Sequence, residues 1–261
     1  MSFAEEHLSN IDGFAFDLDG VIWRGKEEVP GAADALRRVR TMGKQIVFVT
    51  NNASQHRKTQ QKRLHQMGIE AELDEVITSG YTAAVSVLAL HGSRKVFVMG
   101  TEELQREFSD AGHQLVTKGA NCVVVGFDKT FSYEKLDQAF RNLYQKDCLF
   151  VACNTNRTYP AEDGLHPGIG PSVAALACCT NREPDLVVGK PHRPIMDLTL
   201  ERLNVTAEKC LMVADVLEHD LKGAADIGMK TLFVLSGVDA REDIERSGIT
   251  PDFVLQSVGE L

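Results

Sequence analysis

Residues 14–20 read FAFDLDG, an apolar run rich in aromatic side chains that ends in two carboxylates, Asp17 and Asp19, and a glycine. A short apolar run that stops at polar and glycine residues is typical of a buried strand. Similar runs alternate with longer amphipathic stretches along the chain, which is the pattern of an α/β fold with a mainly parallel sheet. We predict strands at residues 14–18, 46–50, 76–78, 96–99, 122–126, 149–152, 186–188, 211–214, 231–235 and 253–255, and helices at residues 32–42, 55–67, 133–144 and 195–203.

Three further predicted strands also run into polar side chains. In chain order these side chains are Thr50 and Asn51, then Lys190, then Asp215 with Asp220 five positions later. Ligands of an open parallel sheet bind beyond the carboxyl ends of its strands. We therefore expect all of these side chains to converge with Asp17 and Asp19 on one crevice.

The residue types at these strand ends suit phosphoryl transfer through a covalent intermediate on Asp17. A carboxylate attacks a phosphate dianion poorly because like charges repel, so such a site must supply positive charge. Asp17 and Asp215 offer the hard oxygen ligands that Mg²⁺ prefers. Lys190 adds a fixed positive charge.

The remaining strand-end groups have matching tasks in the same hypothesis. The Thr50 hydroxyl and the backbone N–H of Asn51 are donors for phosphate oxygens. Asp19 is placed to protonate the leaving alcohol oxygen and then to take a proton from the hydrolytic water. Asp17 is then charged on the metal, whereas Asp19 carries a proton when substrate arrives.

The four segments DLDGVIWRG, TNN, GKP and Asp-x-x-x-x-Asp resemble the motifs of the haloacid dehalogenase (HAD) superfamily of phosphatases. The run VPGAADAL and the 140 positions from Thr50 to Lys190 narrow the resemblance to subfamily IIA, which includes NagD-like proteins, 4-nitrophenyl phosphatases and the sugar phosphatase AraL. Segments such as FVACNTNRTYPAEDGLHPGIGPSVAAL also look like parts of this family. The resemblance covers essentially the whole chain.

This resemblance implies a Rossmann-like HAD core with a parallel sheet and an inserted α/β cap domain of the C2 type. The core is predicted at residues 1–80 and 186–261, and the cap, which would set substrate specificity, at residues 81–185. The implied activity is a Mg²⁺-dependent phosphomonoesterase. Its substrates would be small phosphorylated metabolites such as sugar phosphates or nucleoside monophosphates, with 4-nitrophenyl phosphate as an artificial one.

The resemblance also implies a role for each motif residue. Asp17 would be the nucleophile and Asp19 the acid and base; Thr50, Asn51 and Lys190 would bind phosphate; and Asp17, the Asp19 carbonyl and Asp215 would hold Mg²⁺, supported by Asp220. Two positions depart from the pattern, with Ala214 where glycine is usual and His219 where threonine is usual. In the cap, residues 153–156 read CNTN where the family has Thr-Asn-Pro-Asp. The candidate specificity residues there are Asn154, Asn156 and Arg157, and a substrate-facing carboxylate is missing.

Two alternative functions stay open at this stage. A HAD-fold phosphotransferase or mutase would share the core, and a non-catalytic small-molecule-binding regulator would keep the fold without turnover. A dehalogenase is disfavoured, because its reaction has no need of Asp19 as an acid. A nucleotide P-loop is disfavoured because G-x-x-x-x-G-K-[ST] is absent, and a zinc site because the histidines form no H-x-x-H or H-x-x-x-H pair.

Composition excludes several other classes of protein. With 43% hydrophobic and 25% charged residues, the chain has enough apolar side chains for an ordinary core and is not disordered. A formal net charge of −9 disfavours binding to nucleic acid or anionic membranes through bulk charge. A long stretch without Asp, Glu, Lys or Arg, residues 164–181, is interrupted by glycine and proline, and its apolar part is too short to cross a membrane.

Cysteine usage and the first residues indicate a cytoplasmic protein. The six cysteines form no C-x-x-C pair, so we expect reduced thiols. The first ten residues, MSFAEEHLSN, lack a basic segment, so we expect no signal peptide. The family resemblance favours a homodimer formed through the cap.

Overall fold

The computed structural model describes residues 3, 7–145, 147–161 and 163–261. Residues 1, 2 and 4–6, on which the signal-peptide expectation partly rests, lie outside the described residues. Residues 146 and 162, which fall in the predicted cap, also lie outside them.

The described elements alternate between strand and helix along most of the chain. The strands are β1 (Gly13–Phe16), β2 (Trp23–Arg24), β3 (Glu27–Glu28), β4 (Gln45–Thr50), β5 (Val76–Thr78), β6 (Lys95–Met99), β7 (Gln114–Leu115), β8 (Cys122–Val125), β9 (Leu149–Ala152), β10 (Thr158–Ala161), β11 (Gly164–Pro167), β12 (Leu186–Val187), β13 (Cys210–Ala214), β14 (Lys230–Val234) and β15 (Phe253–Leu255). The α-helices are α1 (Ala32–Thr41), α2 (Arg57–Gln66), α3 (Ser79–His91), α4 (Glu102–Asp110), α5 (Tyr133–Leu143), α6 (Gly170–Thr180), α7 (Arg193–Leu203), α8 (Lys222–Ala225) and α9 (Asp243–Ser247).

The chain divides into two compact units, and the first consists of Met1–Thr50, Gln60–Ile77 and Lys190–Leu261. It contains a six-stranded sheet in the order β15-β14-β13-β1-β4-β5. The central strand β1 pairs in parallel with both β13 and β4, and Phe16 lies opposite Val213 and Phe48. These three strands therefore end nearly level with one another.

The central strands of this sheet are buried on both faces. Phe14 and Phe16 belong to one apolar cluster, whereas Ala15 between them belongs to another. Alternate residues of a strand point to opposite faces, so a strand covered on both sides must be apolar throughout. This explains the continuous apolar run at the start of FAFDLDG.

The second unit consists of Asn51–Thr59 and Thr78–Gly189. It contains a five-stranded sheet in the order β12-β9-β8-β6-β7, whose neighbouring strands are parallel, and the antiparallel hairpin β10-β11. Its apolar cluster is built from β8 and β9 together with helix side chains such as Leu104 and Phe108 of α4.

The predicted α/β class with parallel sheets is confirmed, and each predicted strand is present within two residues of its predicted bounds. The strands that the sequence did not predict are β2, β3, β7, β10 and β11. The first three are two residues long, and the β10-β11 hairpin is largely exposed, so none produces an apolar run. These segments are strands because they pair with a neighbouring strand, and their amino-acid composition does not predict it.

The strand predicted at residues 186–188 lies in a different sheet from the one expected. Strand β12 pairs with β9 and so belongs to the second unit, which extends to Gly189. Residues 51–59 also group with the second unit. The division into a core of residues 1–80 and 186–261 and a cap of residues 81–185 stays a prediction.

Two expectations from composition concern features that the structure describes directly. None of the six cysteines, all of which are described, takes part in a disulfide. Among the described residues, no helix combines the length and the apolar character that crossing a membrane requires.

Candidate active site

Three of the predicted residues lie where the central strands of the first unit end. Asp17 follows β1, Thr50 is the last residue of β4, and Asp215 follows β13. Because these strands are adjacent, parallel and nearly level, their carboxyl ends bring the three residues to one edge of the sheet. All three are buried.

Lys190 is a buried cation between two carboxylates. Its Nζ lies 2.8 Å from Asp17 Oδ1 and 2.9 Å from Asp220 Oδ1, and it donates to the Val49 carbonyl at 3.3 Å. Burial by itself would lower the pKa of Lys190, but Asp17 and Asp220 together raise it above its ordinary value. The lysine therefore stays charged, and its one positive charge offsets part of the negative charge of the two carboxylates it contacts.

Asp220 reaches Lys190 from a π-helical turn, Leu217–Leu221, which follows β13. π-Helical turns are rare and are frequent at functional sites. His219 precedes Asp220 and is exposed, so the departure from threonine at this position leaves the ion pair of Asp220 intact. The other departure, Ala214, is fully buried as the last residue of β13.

The Asp215 carboxylate is enclosed by backbone on one side. Its Oδ2 accepts a hydrogen bond from the Val238 N–H at 2.8 Å. A side chain at Gly20 or Gly237 would collide with this carboxylate, so both positions require glycine. In the described structure, the buried Oδ1 of Asp215 has no hydrogen-bond partner.

These carboxylates fit a bound cation. Asp17, Asp215 and Asp220 each offer an oxygen, and the three oxygens lie within 4.8 Å of one another. Burial and the neighbouring charges, chiefly that of Asp17, raise the pKa of Asp215 to about 8. Burial, with a contribution from Asp17, also raises the pKa of Asp220 to about 7. An unpaired buried carboxylate oxygen is costly unless a cation satisfies it, and an all-oxygen donor set suits Mg²⁺.

Asp19 differs from the other carboxylates because it is exposed. Its Oδ1 accepts a hydrogen bond from Trp23 Nε1 at 2.9 Å. Although the residue is exposed, desolvation by the surrounding protein and the charge of Asp17 raise its pKa, and the Trp23 hydrogen bond and the Arg63 charge only partly offset this rise. A raised pKa is the direction that a general acid needs.

Asn51 lies in the second unit, next in the chain to Thr50 of the first. Its carbonyl oxygen accepts hydrogen bonds from Asn154 Nδ2 and Ser79 Oγ, both at 2.8 Å. Asn154 is 4% exposed, and its own Oδ1 accepts the N–H of Asn156 at 3.1 Å. The Asn154 side chain is therefore committed to backbone groups, whereas Asn156 is half-buried and Arg157 is exposed.

Several residues of the site carried no recognised signal in the sequence. Ser79 and Gly237 contact predicted residues only through the tertiary fold, and the hydrogen bond of Trp23 to Asp19 is equally invisible in the sequence. Arg63 lies in a helix of mostly polar residues, so its sequence predicts a solvent-exposed side chain and gives no sign of the contact with Trp23. Gly20 does carry a signal in the sequence, because Asp-Gly after an apolar run predicts a turn, and its φ of 84° is that of a turn glycine.

Two family models match the two ends of the chain. The model described as haloacid dehalogenase-like hydrolase matches residues 14–114, and a second HAD-hydrolase-like model matches residues 187–261. The first match begins at FAFDLDG, and the second includes Lys190, Asp215 and Asp220.

Known proteins are similar over nearly the full length. Human glycerol-3-phosphate phosphatase is 32% identical, with 99% of this chain and 92% of the relative covered. The sugar-phosphatase AraL of Bacillus subtilis is 31% identical, with coverage of 95% and 91%. The crystal structure of a 4-nitrophenylphosphatase from Thermotoga maritima superposes with a TM-score of 0.92 at 34% identity, with 97% of each chain covered.

This chain therefore belongs to the haloacid dehalogenase-like hydrolases. Within that family it is a phosphoric monoester hydrolase of subfamily IIA, the group with the 4-nitrophenyl phosphatases and AraL. The predicted family and enzyme class are confirmed.

Proposed function

We propose that the chain is a Mg²⁺-dependent phosphomonoesterase that hydrolyses small phosphorylated metabolites through an aspartyl-phosphate intermediate on Asp17. The observation that carries this proposal is the buried contact of 2.8 Å between Lys190 Nζ and Asp17 Oδ1. A lysine so placed holds one oxygen of the nucleophile and brings positive charge to the point where a phosphate would meet it. The nearby unpartnered oxygen of Asp215 supports a place for a second cationic group.

In the first step a carboxylate oxygen of Asp17 attacks phosphorus while the bond from phosphorus to the ester oxygen breaks. Asp19 gives its proton to that departing oxygen, so the alcohol leaves neutral. Lys190 and the Thr50 hydroxyl donate to phosphate oxygens, with the Asn51 N–H as a further donor. Asp19, now a carboxylate, then takes a proton from the water that attacks phosphorus, and the bond to Asp17 breaks to release inorganic phosphate.

Mg²⁺ would be held by Asp17, Asp215 and the Asp19 carbonyl, with Asp220 close enough to contribute, and it would neutralise charge on the transferring phosphate. Without a cation the site presents the acidic groups of Asp17, Asp215 and Asp220, whose negative charge would repel a phosphate dianion. Lys190 alone offsets only part of that charge.

The relatives support small alkyl phosphates as the substrate class. Their names refer to glycerol 3-phosphate and sugar phosphates, and 4-nitrophenyl phosphate appears as a substrate of related proteins. We include nucleoside monophosphates as candidates and expect 4-nitrophenyl phosphate to serve as an artificial substrate. A cytoplasmic location and a homodimer formed through the predicted cap stay predictions.

A phosphate-release assay over a panel of these compounds tests the proposal. The wild-type protein should release phosphate with Mg²⁺ and lose activity when a chelator removes it. Asp17→Asn should abolish release, because a neutral amide is not a nucleophile. Asp12→Asn is the matched control. Asp12 directly precedes β1, as Asp17 directly follows it, and its carboxylate forms ion pairs with Lys44 and Lys209. Full activity of Asp17→Asn would refute the mechanism.

A further inference from the structure

Trp23, the single tryptophan of the chain, is bound to the loop that carries Asp19. Its indole Nε1 donates to Asp19 Oδ1 at 2.9 Å, and the side chain is 1% exposed. The backbone makes two further connections: the Gly20 N–H donates to the Trp23 carbonyl at 2.7 Å, and the Trp23 N–H donates to the Leu18 carbonyl at 3.2 Å. The residues on either side of Asp19 are thus tied to Trp23.

The indole ring is itself held in place by Arg63. The guanidinium carbon of Arg63 lies 3.9 Å from the centroid of the indole ring, and the guanidinium also donates to the Gly25 carbonyl. A cation over an aromatic face is attracted by the ring, and the planar guanidinium also stacks on it. Arg63 comes from helix α2, 40 positions after Trp23, and it fixes the plane of the ring by contacting both the ring and the turn beside it.

The hydrogen bond from Trp23 makes the two oxygens of Asp19 unequal. An indole N–H is a donor only, so Asp19 Oδ1 acts as the acceptor in this bond. A proton on the carboxyl is then best placed on Oδ2. When that proton moves to the departing ester oxygen, Asp19 becomes a carboxylate, and the same N–H stabilises the new charge on Oδ1.

We propose that Trp23 and Arg63 are positioning residues for Asp19. Trp23 holds Oδ1 and leaves Oδ2 to exchange the proton with the leaving oxygen, and Arg63 keeps the indole in the orientation that this requires. This inference rests on the proposed function, because it assigns the acid role to Asp19. Neither residue touches the substrate in this scheme.

The first test compares substrates that differ in their need for protonation. For a hydrolase of this type, kcat/KM reports events up to departure of the alcohol. A 4-nitrophenolate leaves with little protonation, whereas the alkoxide of glycerol 3-phosphate needs it. We expect Trp23→Phe, which keeps an aromatic ring but removes the N–H, to lower kcat/KM for glycerol 3-phosphate about tenfold more than for 4-nitrophenyl phosphate. Equal losses on the two substrates, or no loss on either, would overturn the proposal.

A second replacement separates the lost N–H from altered packing. Because Trp23 is the only tryptophan, growth of a tryptophan auxotroph on β-(3-benzothienyl)alanine replaces this one indole by an isosteric ring with sulfur in place of N–H. This protein should show the same selective loss as Trp23→Phe. If the ratio of kcat/KM for the two substrates stayed at its wild-type value, the proposed role of the N–H would be contradicted.

Arg63→Lys keeps the charge and removes the planar stacking group, and it should produce a smaller selective loss in the same direction. Arg38→Lys is the matched control, because Arg38 also donates to a glycine carbonyl, that of Gly259 at 2.8 Å, within the same unit. It should leave the substrate ratio at the wild-type value. If the Arg63 and Arg38 variants had the same ratio of kcat/KM for the two substrates, the positioning role of Arg63 would be refuted.

The contact also has a readout that does not depend on turnover. A ¹H–¹⁵N spectrum of the protein contains one indole N–H signal, and Asp19→Ala should move it upfield and speed its exchange with solvent. A signal that does not respond would show that the bond is absent in solution. If the wild-type protein releases no phosphate from any substrate, the proposed function fails and the positioning role fails with it. An active wild-type protein with an unchanged substrate ratio in Trp23→Phe refutes only the positioning role.

Discussion

At the scale of single residues, the Asp215 carboxylate shows how the backbone defines the site. Gly20 and Gly237 come from two separate loops, and both leave space that the carboxylate fills. The Val238 N–H then fixes one carboxylate oxygen and leaves the other available. Asp215 is therefore oriented by glycines that have no chemical role of their own.

This arrangement predicts different outcomes for the same substitution at two glycines. Gly20 and Gly43 both have a positive φ, 84° and 72°, so the backbone conformation alone should make alanine cost about 1–2 kcal/mol at either position. A side chain at Gly43 meets no atom within 4 Å, whereas at Gly20 it would displace Asp215. We expect Gly20→Ala to lose Mg²⁺-dependent activity and Gly43→Ala to keep it, as measured by phosphate release alongside urea unfolding. Equal activity of the two variants would contradict the account of Asp215.

A second residue-scale prediction concerns the raised pKa of Asp19. Asn cannot donate or accept the proton that the mechanism requires, so Asp19→Asn should lose turnover by a factor of about 10²–10⁴ on alkyl phosphates. The loss should be smaller for 4-nitrophenyl phosphate. Steady-state rates on both substrates check this, with Asp34→Asn on the exposed face of α1 as the control. An equal loss across leaving groups would argue against Asp19 as the acid.

At the scale of elements, helix α4 anchors the segment that follows the second motif. Glu107 of α4 accepts the Arg57 backbone N–H at 2.6 Å, and its other oxygen lies 3.4 Å from His56 Nε2. Glu103 of the same helix accepts the His56 N–H at 2.9 Å. These contacts explain why residues 51–59 group with the second unit, although β4 directly before them belongs to the first.

The buried position of Glu107 predicts a pH dependence of stability. Burial raises the pKa of Glu107 to about 7, with Asp110 adding to the rise and Arg57 and Lys58 opposing it. The folded state thus keeps a proton that the unfolded state releases near pH 4.5. Protonated Glu107 therefore makes its full contribution to the free energy of unfolding below pH 4.5. That contribution is lost as the pH rises through 7 and the folded state also loses the proton. Gln at this position cannot ionise, so the stability of Glu107→Gln relative to wild type should improve by up to about 3 kcal/mol from pH 4.5 to 8.

Urea unfolding at several pH values measures this difference. Glu103→Gln is the control, since it removes a carboxylate from the same helix that also accepts a backbone N–H of the 51–59 segment. A constant stability difference between Glu107→Gln and wild type across this pH range would contradict the assignment.

At the scale of the whole molecule, the cation site links metal binding to global stability. Asp17, Asp215 and Asp220 lie close together in the folded state and apart in the unfolded chain, so Mg²⁺ should bind the folded state preferentially. A concentration of 100 times Kd would add about 2.7 kcal/mol to the free energy of unfolding. Calorimetry with Mg²⁺ and with chelator, at equal ionic strength, should show a higher Tm with the metal.

Asp215→Asn separates this effect from a general effect of salt. It should lose most of the Mg²⁺-dependent rise in Tm while remaining folded in chelator, because Asn is as neutral as the protonated carboxyl that the raised pKa of Asp215 favours in the absence of metal. A rise in Tm equal to that of wild type would place the metal elsewhere.

Much of the site could be read from the sequence because parallel strands align their carboxyl ends. Asp17, Thr50 and Asp215 follow directly from that rule, and the structure brings them together. Lys190 was expected from a strand of the same sheet, yet the preceding strand, β12, pairs in the other sheet. The GKP motif identifies Lys190, but the prediction that the strand before it belongs to the sheet of the first unit is wrong.

The α/β class, the order of the motifs and the residue types of the site can be read from the amino-acid sequence, because apolar periodicity and strand-end chemistry are local along the chain. What holds those residues in place is visible in the tertiary contacts alone. The pairing of Trp23 with Asp19 and Arg63 depends on contacts between distant segments. The packing of glycines around Asp215 and the hydrogen bond from Asn154 to the Asn51 carbonyl also depend on contacts between distant segments. Such contacts leave no periodicity in the sequence, since which distant segments meet is set by how the sheets pair and the helices pack.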